Sequence, residues 1–226
     1  MSTTLIIIVG GSDEPIVQAI KSYNPNFIYF ICSGGSFKTA SAPTIDSEGK
    51  VCIRKKEVRC PKCKEVISEQ EEYPSIIKQS NYKGGYEKVI IDDPDNFDEV
   101  YEKIKETIEK AKKEGEEIIC DFTGGTKIMS SILAILTAFD FNLKLSFSKG
   151  KREDIIKITK GSIPVIENIN LVRVDFIMNS VDFIISKYLY YPAKLLLEEL
   201  IKKGLPSNLQ KSILEKIEIC SAFYYW

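Results

Sequence analysis

The residues of this chain best placed to do chemistry are Asp121-Phe122-Thr123-Gly124-Gly125-Thr126-Lys127. An apolar stretch, Glu117 to Phe122, stops at the glycine pair, and an apolar helical pattern begins near Ile128. A strand–turn–helix unit of this kind leaves backbone N–H groups free at the helix start, and the helix dipole favours an anion there. Thr123, Thr126 and Lys127 add hydroxyl donors and a positive charge, so the chemistry on offer is phosphate binding. The spacing is neither that of a Walker A loop nor Gly-x-Gly-x-x-Gly. The plain alternative is a tight strand-to-helix turn with a solvated Lys127.

Two further turns repeat the pattern. The apolar run Thr4–Val9 ends in Gly10-Gly11-Ser12-Asp13, ahead of a helix start at Glu14-Pro15. Proline suits the first helical turn, where its missing N–H costs little. The run Asn26–Cys32 ends in Ser33-Gly34-Gly35-Ser36. Continuous apolar runs read as strands buried on both faces of a parallel sheet, and such sheets bind ligands at the carboxyl ends of their strands. Three such loops along one edge make a polar, backbone-rich rim.

The elements that must position these loops alternate. The pattern predicts strand 4–9, helix 14–23, strand 26–32, an irregular segment 33–86, strand 88–92 and helix 96–114, the last from Phe97, Val100, Ile104, Ile108 and Ala111 at three- and four-residue spacings. Strand 117–122, an almost wholly buried helix 126–141, strand 143–148 and a closing strand or hairpin within 155–165 follow. Alternation of this kind predicts an α/β, Rossmann-like, mostly parallel doubly wound sheet. From 172 the pattern becomes helical, with helices over 174–190 and 193–203 split at Tyr191-Pro192, and a third over 208–226. The domain expectation is 1–171, with an insertion at 37–86, followed by a helical linker or the start of a truncated effector at 172–226. The aromatic end Phe223-Tyr224-Tyr225-Trp226 suggests a fragment or an interface.

Composition bounds the function. The 226 residues are 44% hydrophobic and 28% charged, with net charge -1, so there is no general basic field for duplex DNA or a membrane surface. In the helical region Lys202, Lys203, Lys211 and Lys216 are matched by Glu198, Glu199, Glu215 and Glu218, which argues against a DNA-reading helix-turn-helix. The start of the chain lacks a signal-peptide pattern, which points to the cytoplasm. There is no histidine, which excludes histidine acid–base catalysis, Ser-His-Asp triads and histidine metal ligands in this chain. Cys32, Cys120 and Cys220 sit in apolar contexts as core residues. Cys60-Pro61-Lys62-Cys63 is a tight thiol pair in a basic loop. It has the form of half a structural zinc site, for which Cys52 or a dimer mate could add ligands. Free thiols and a redox pair are the other two readings. Lys55, Lys56, Arg59, Lys62 and Lys64 make the insertion either a solvated hairpin or a basic lid over an anion.

The Asp121–Met129 run, together with Gly10-Gly11-Ser12-Asp13, resembles the CARF family, the CRISPR-associated Rossmann-fold sensors of cyclic oligoadenylates. The resemblance covers roughly residues 1–170 and implies a homodimer whose strand ends share one cyclic tetra- or hexa-adenylate. It implies ligand residues Gly10, Gly11, Ser12 and Asp13 on the first loop and Thr123, Gly124, Gly125, Thr126 and Lys127 on the loop after the later strand, with amides of Gly11, Ser12, Gly125 and Thr126 on phosphates and Lys127 supplying charge. Ser33 and Gly34 would lie against adenine or ribose, and the ribose 2′-OH would tell RNA from DNA. Two activities are compatible with it. One is a sensor in type III CRISPR antiviral defence that switches an effector; without histidine this chain cannot carry the Arg…His ribonuclease motif of HEPN effectors. The other is a metal-independent ring nuclease in which Ser12, Thr126 and Lys127 are catalytic. An unrelated nucleotide-binding enzyme or regulator is the third reading, and it predicts tight binding of a linear nucleotide.

Overall fold

A computed structural model describes residues 2–34, 40–59, 66–114, 117–151 and 160–225. Cys60 and Cys63 lie outside these residues, as do Gly35 and Ser36. The chain divides into two compact units, Met1–Glu167 and Asn168–Trp226.

In the first unit, β1 (Thr3–Ile8) leads to α1 (Glu14–Tyr23) and β2 (Phe27–Ser33). A short helix α2 (Pro43–Asp46), the strands β3 (Lys50–Arg59) and β4 (Val66–Pro74), and a short helix α3 (Ile76–Ser80) follow. Then come β5 (Gly85–Ile91), α4 (Phe97–Glu114), β6 (Glu117–Asp121), α5 (Lys127–Ala138), β7 (Leu143–Lys151) and β8 (Lys160–Glu167). The main sheet has the order β5-β2-β1-β6-β7-β8. All its pairings are parallel except β7 with β8. The fold is thus the α/β Rossmann-like arrangement expected, with an antiparallel strand on one edge.

The hydrophobic pattern explains the layers. Leu5, Ile6, Ile7 and Ile8 of β1 are all essentially inaccessible, because alternate side chains enter cores on opposite faces. Ile6 and Ile8 join Tyr29, Ile31, Val100, Ile104, Met129, Ile132 and Leu133 under α4 and α5. Leu5 and Ile7 join Ile16, Ile20, Ile28, Phe30, Ile45 and Ile76 under α1, α2 and α3. Of the Phe97, Val100, Ile104, Ile108, Ala111 spacing read from the sequence, the last four form the inner side of α4, with Val100, Ile104 and Ala111 fully buried, while Phe97 at the helix start is 55% exposed.

The structure corrects three expectations. The segment 33–86 is not irregular: β3 and β4 pair as an antiparallel hairpin, flanked by α2 and α3. Its strands carry charges in succession, Arg54-Lys55-Lys56-Glu57 against Glu69-Gln70-Glu71-Glu72, so the alternation that marks a strand is missing. Helix α5 is not wholly buried, since Ile135 is 48% and Phe139 57% exposed on the side away from the sheet. The third correction lies in the second unit.

There, α6 (Asn170–Ser186), α7 (Tyr190–Lys202) and α8 (Ser207–Tyr224) pack through Val174, Val181, Leu197, Leu200, Ile213 and Cys220. The break between α6 and α7 falls at Lys187–Leu189, where Tyr188 takes φ 58, and not at Tyr191-Pro192. Pro192 sits in the first turn of α7, the one helical position that tolerates it. The terminal aromatics close the unit, with Tyr190 on Phe223 at 5.2 Å and Tyr191 on Tyr224 at 5.0 Å. Among the described residues no helix is long and apolar enough to cross a membrane.

The layers set a test of packing. Ile31→Ala, at a fully buried site, is expected to cost about 2–5 kcal/mol in denaturant unfolding. Ile53→Ala, at a site 54% exposed in β3, is expected to cost less than about 1 kcal/mol. Equal losses would contradict the layer assignment.

Candidate ligand site at the carboxyl edge of the sheet

The chain crosses from one half of the sheet to the other between β1 and β6, so the loops after these two strands flank the switch point. Register brings them level, with Ile7 opposite Asp121. The loops touch through backbone. A Cβ on Gly10 would stand 2.4 Å from the Gly125 nitrogen, and one on Gly124 would stand 2.4 Å from the Ile8 carbonyl oxygen. Gly125 has φ 80, in the left-handed region. These glycines are required by the contact between the two loops. Gly11, by contrast, faces open space and is exposed, as is Ser12.

The loop after β6 is held from below. Asp121 is fully buried; its Oδ1 accepts the Thr123 N–H at 3.0 Å and its Oδ2 accepts the Ser146 hydroxyl at 2.6 Å. Ser146 has one proton and gives it to the carboxylate, so the Tyr23 hydroxyl, 2.8 Å away on α1, donates to Ser146. The Thr123 Oγ1 accepts the Ser148 N–H at 2.8 Å. Burial pushes the Asp121 pKa up, against the hydrogen bonds from Ser146 and Thr123 that favour its charge.

Thr126 is the N-cap of α5. Its Oγ1 accepts the Met129 N–H at 3.3 Å and donates to the Pro94 carbonyl at 3.1 Å, tying α5 to the loop after β5. The Ser130 hydroxyl donates to the Gly124 carbonyl at 2.7 Å. The threonine hydroxyls that the sequence offered as ligand donors are therefore engaged inside the protein. What faces outward is Gly125 and Lys127, both exposed, and Lys127 makes no ion pair among the described residues.

Asp13 is buried at 5% exposure beside the first loop, and its carboxylate takes both arms of the Arg54 guanidinium. Its burial opposes ionisation, but the Arg54 and Gln79 hydrogen bonds and the Arg54 charge outweigh this and hold its pKa below the ordinary value. At the third strand end the Ser33 hydroxyl lies 3.2 Å from that of Ser41, and the Gly34 N–H donates to Ile91. Gly34 is buried, and a Cβ there would meet Ile90 at 2.2 Å.

The structure thus gathers Gly10–Ser12 and Thr123–Lys127 at adjoining loops and places Ser33 and Gly34 at the end of the neighbouring strand, while the buried Asp13 carboxylate is turned to Arg54 and Gln79. Sequence reasoning missed Asp121, Arg54 and Gln79 as supports. An acid closing the apolar run Ile118-Ile119-Cys120 was a readable signal for Asp121, whereas nothing local marked Arg54. The buried thiols of Cys32 and Cys52 are pushed up to about 12 and about 11 by desolvation, so neither is a ready nucleophile. Among the described residues no cluster of acids and cysteines is placed to hold a metal ion.

No family model matches the chain, and no curated protein does. Solved structures do match in fold. Csm6 from Enterococcus italicus, bound to cyclic hexa-2′-fluoro-hexa-dAMP, matches with a TM-score of 0.62 at 13% identity, over 100% of this chain and 56% of that one. Can2 from Sulfobacillus thermosulfidooxidans, in complex with cyclic tetra-adenylate, matches with a TM-score of 0.46 at 10% identity, over 98% of this chain and 65% of that one. A type III CRISPR defence DNA nuclease activated by cyclic oligoadenylate matches with a TM-score of 0.41 at 12% identity, over 96% of this chain and 33% of that one. The chain spans about half the length of the Csm6 chain. The fold it shares with Csm6 is the Rossmann-like fold that the CARF resemblance implies.

Two tests follow from this geometry. Gly124→Ala drives a Cβ into backbone, and a loss of about 2–4 kcal/mol is expected in chemical denaturation, against less than about 1 kcal/mol for Gly11→Ala. The paired acids give opposite pH responses. Asp121 has a raised folded pKa, so stability falls as pH rises from its ordinary value of 3.8 through the folded value. Asp13 has a lowered folded pKa, so its contribution is full above 3.8 and is lost as pH falls through the folded value. In unfolding measured across pH, Asp121→Asn is expected to flatten the slope above that point and Asp13→Asn the slope below it. Parallel profiles for all three proteins would contradict both assignments.

Proposed function

We propose that residues 1–171 form a CARF-type sensor that binds a cyclic oligoadenylate, tetra- or hexa-adenylate, as a cytoplasmic homodimer in type III CRISPR antiviral defence. The observation that carries this reading is the exposed edge at the switch point. Gly11, Ser12, Gly125 and Lys127 lie open on two loops locked together by glycine contacts, at the N-terminus of α5. Backbone amides and one lysine suit phosphodiesters, which carry charge but little else to recognise. A two-fold ring presents the same half to each subunit of a symmetric dimer. The fold shared with a Csm6 structure holding a cyclic hexanucleotide supports the same ligand class. Binding would shift the dimer and switch an effector, with the helices from 172 onward as linker or the start of that effector.

The ring-nuclease reading is less well supported. Thr126 has given its proton to Pro94, and Ser12 and Lys127 have no histidine anywhere in the chain to serve them as a base. Duplex DNA and membrane partners find no basic field here. Cys60 and Cys63 keep their readings as zinc knuckle, free thiols or redox pair, which the metal content of the purified protein separates.

Titration calorimetry with cyclic tetra-adenylate, cyclic hexa-adenylate and ATP, each mixture then chromatographed, tests the proposal. One ring bound per dimer, with ATP silent and the ring intact, is the expected result. Linear product would instead establish cleavage, and binding of neither ring would overturn the ligand class. Lys127→Ala is expected to weaken ring binding by about 1–3 kcal/mol, the scale of a lost charge-assisted contact. Unchanged affinity would remove Lys127 from the site.

A further inference from the structure

Asp13 occupies the N-cap of α1, a position where an aspartate normally accepts a hydrogen bond from its own helix, yet its side chain makes no capping bond. The second helical residue is Pro15, which has no N–H, so Ile16 carries the amide that a capping carboxylate would take. The carboxylate is turned away instead. Arg54 Nε donates to Oδ1 at 2.9 Å and a terminal Arg54 nitrogen donates to Oδ2 at 2.8 Å. Gln79 Nε2 donates to Oδ2 at 2.6 Å and also to the Pro74 carbonyl at 2.6 Å. The same terminal nitrogen of Arg54 donates to Gln79 Oε1 at 2.9 Å, and the guanidinium lies 4.1 Å from the centre of the Tyr73 ring. The planar fork of arginine fits this bidentate geometry, whereas lysine would be a point charge.

We propose that Arg54 is a positioning residue for the anion site: with Glu14 already in the first turn of α1, it keeps a second negative charge, the Asp13 carboxylate, off this helix end and the Gly11–Ser12 loop. The inference rests on the ligand reading above. Asp13 has φ -80 and ψ -32, in the helical region, whereas a capping residue is extended. Released from Arg54, the residue turns its ψ to the extended value, and its carboxylate accepts the Ile16 N–H and places a charge beside the loop where a phosphate would sit. The aspartate is then a competitor for the site and the arginine its restraint. This differs from a merely structural anchor for the β3–β4 hairpin, because it makes the harm of losing Arg54 conditional on the presence of Asp13.

The test compares wild type, Arg54→Gln, Asp13→Ala and the double variant, each first shown to be folded by its melting curve. The readouts are ring affinity and hydrogen exchange at the Ile16 amide. Arg54→Gln is expected to lose about tenfold in affinity while Ile16 gains protection. Asp13→Ala is expected to bind as tightly as wild type or tighter. The double variant is expected to return to within about threefold of wild type. Should Arg54→Gln fail to fold, Arg54→Lys takes its place in the same comparison, with a smaller loss expected. A double variant that binds no better than Arg54→Gln, or Ile16 exchange unchanged by loss of Arg54, would overturn the proposal. If wild type binds neither ring, the ligand class fails, and the Ile16 comparison still decides whether Arg54 restrains the carboxylate.

Discussion

The contact on which the candidate site depends is the one between Gly10 and the Gly124–Gly125 backbone. No side chain fits there, since a Cβ on either Gly10 or Gly124 would stand 2.4 Å from a backbone atom of the other strand or loop. Contact this close makes the loop after β1 and the loop after β6 a single surface. A crevice at a topological switch point ordinarily receives the ligand between its two loops. Here the loops close on each other, so a ligand is met by their outer edges, where Gly11, Ser12, Gly125 and Lys127 are exposed. Such an edge suits an extended, charged ligand better than a small one needing enclosure.

The anion site proposed on this chain of net charge -1 must also manage its own carboxylates. Three acids near this edge are occupied with backbone or internal partners. Asp121 lies inside, accepting from Thr123 and Ser146. Asp13 is taken by Arg54 and Gln79. Glu99 accepts the N–H groups of Asp92 and Asp93 at the end of β5. Each tie also fixes a loop, because a carboxylate accepting backbone N–H groups holds that backbone still. Placement of negative charge and rigidity of the edge therefore come from the same hydrogen bonds.

How much of this was legible follows from how local each signal is. The central strands were readable because burial on both faces leaves an unbroken apolar run, as in Leu5–Val9 and Phe27–Cys32. Helix α4 was readable from its spacing. The insertion offers a hairpin only as one of two readings, and its charged strands, which lack alternation, mark no strand bounds. The α6–α7 break was misplaced because a proline signals a break and a first helical turn equally well, and only the φ of Tyr188 tells which applies. At the site, the glycines were visible but their role was ambiguous: Gly11 faces open space while Gly10 and Gly124 face backbone, and one residue type serves both. Arg54 meets Asp13 across 41 residues, a pairing that no local pattern encodes.

The commitments of the hydroxyl groups bear on what kind of protein uses such an edge. Chemistry at phosphorus needs groups whose interaction grows as charge develops in the transition state. Thr126 gives its proton to Pro94 and accepts from Met129, and Thr123 accepts from Ser148, so both hydroxyls are already tied to backbone. What remains is the Ser12 hydroxyl, backbone amides and one lysine, and on the proposed reading amides and a lysine held in place grip a phosphate about equally well before and during reaction. Uniform binding of that kind gives affinity without rate. On the proposed reading, an edge of this kind suits detection of a ligand, and the energy gained on binding is available to shift the protein between conformations.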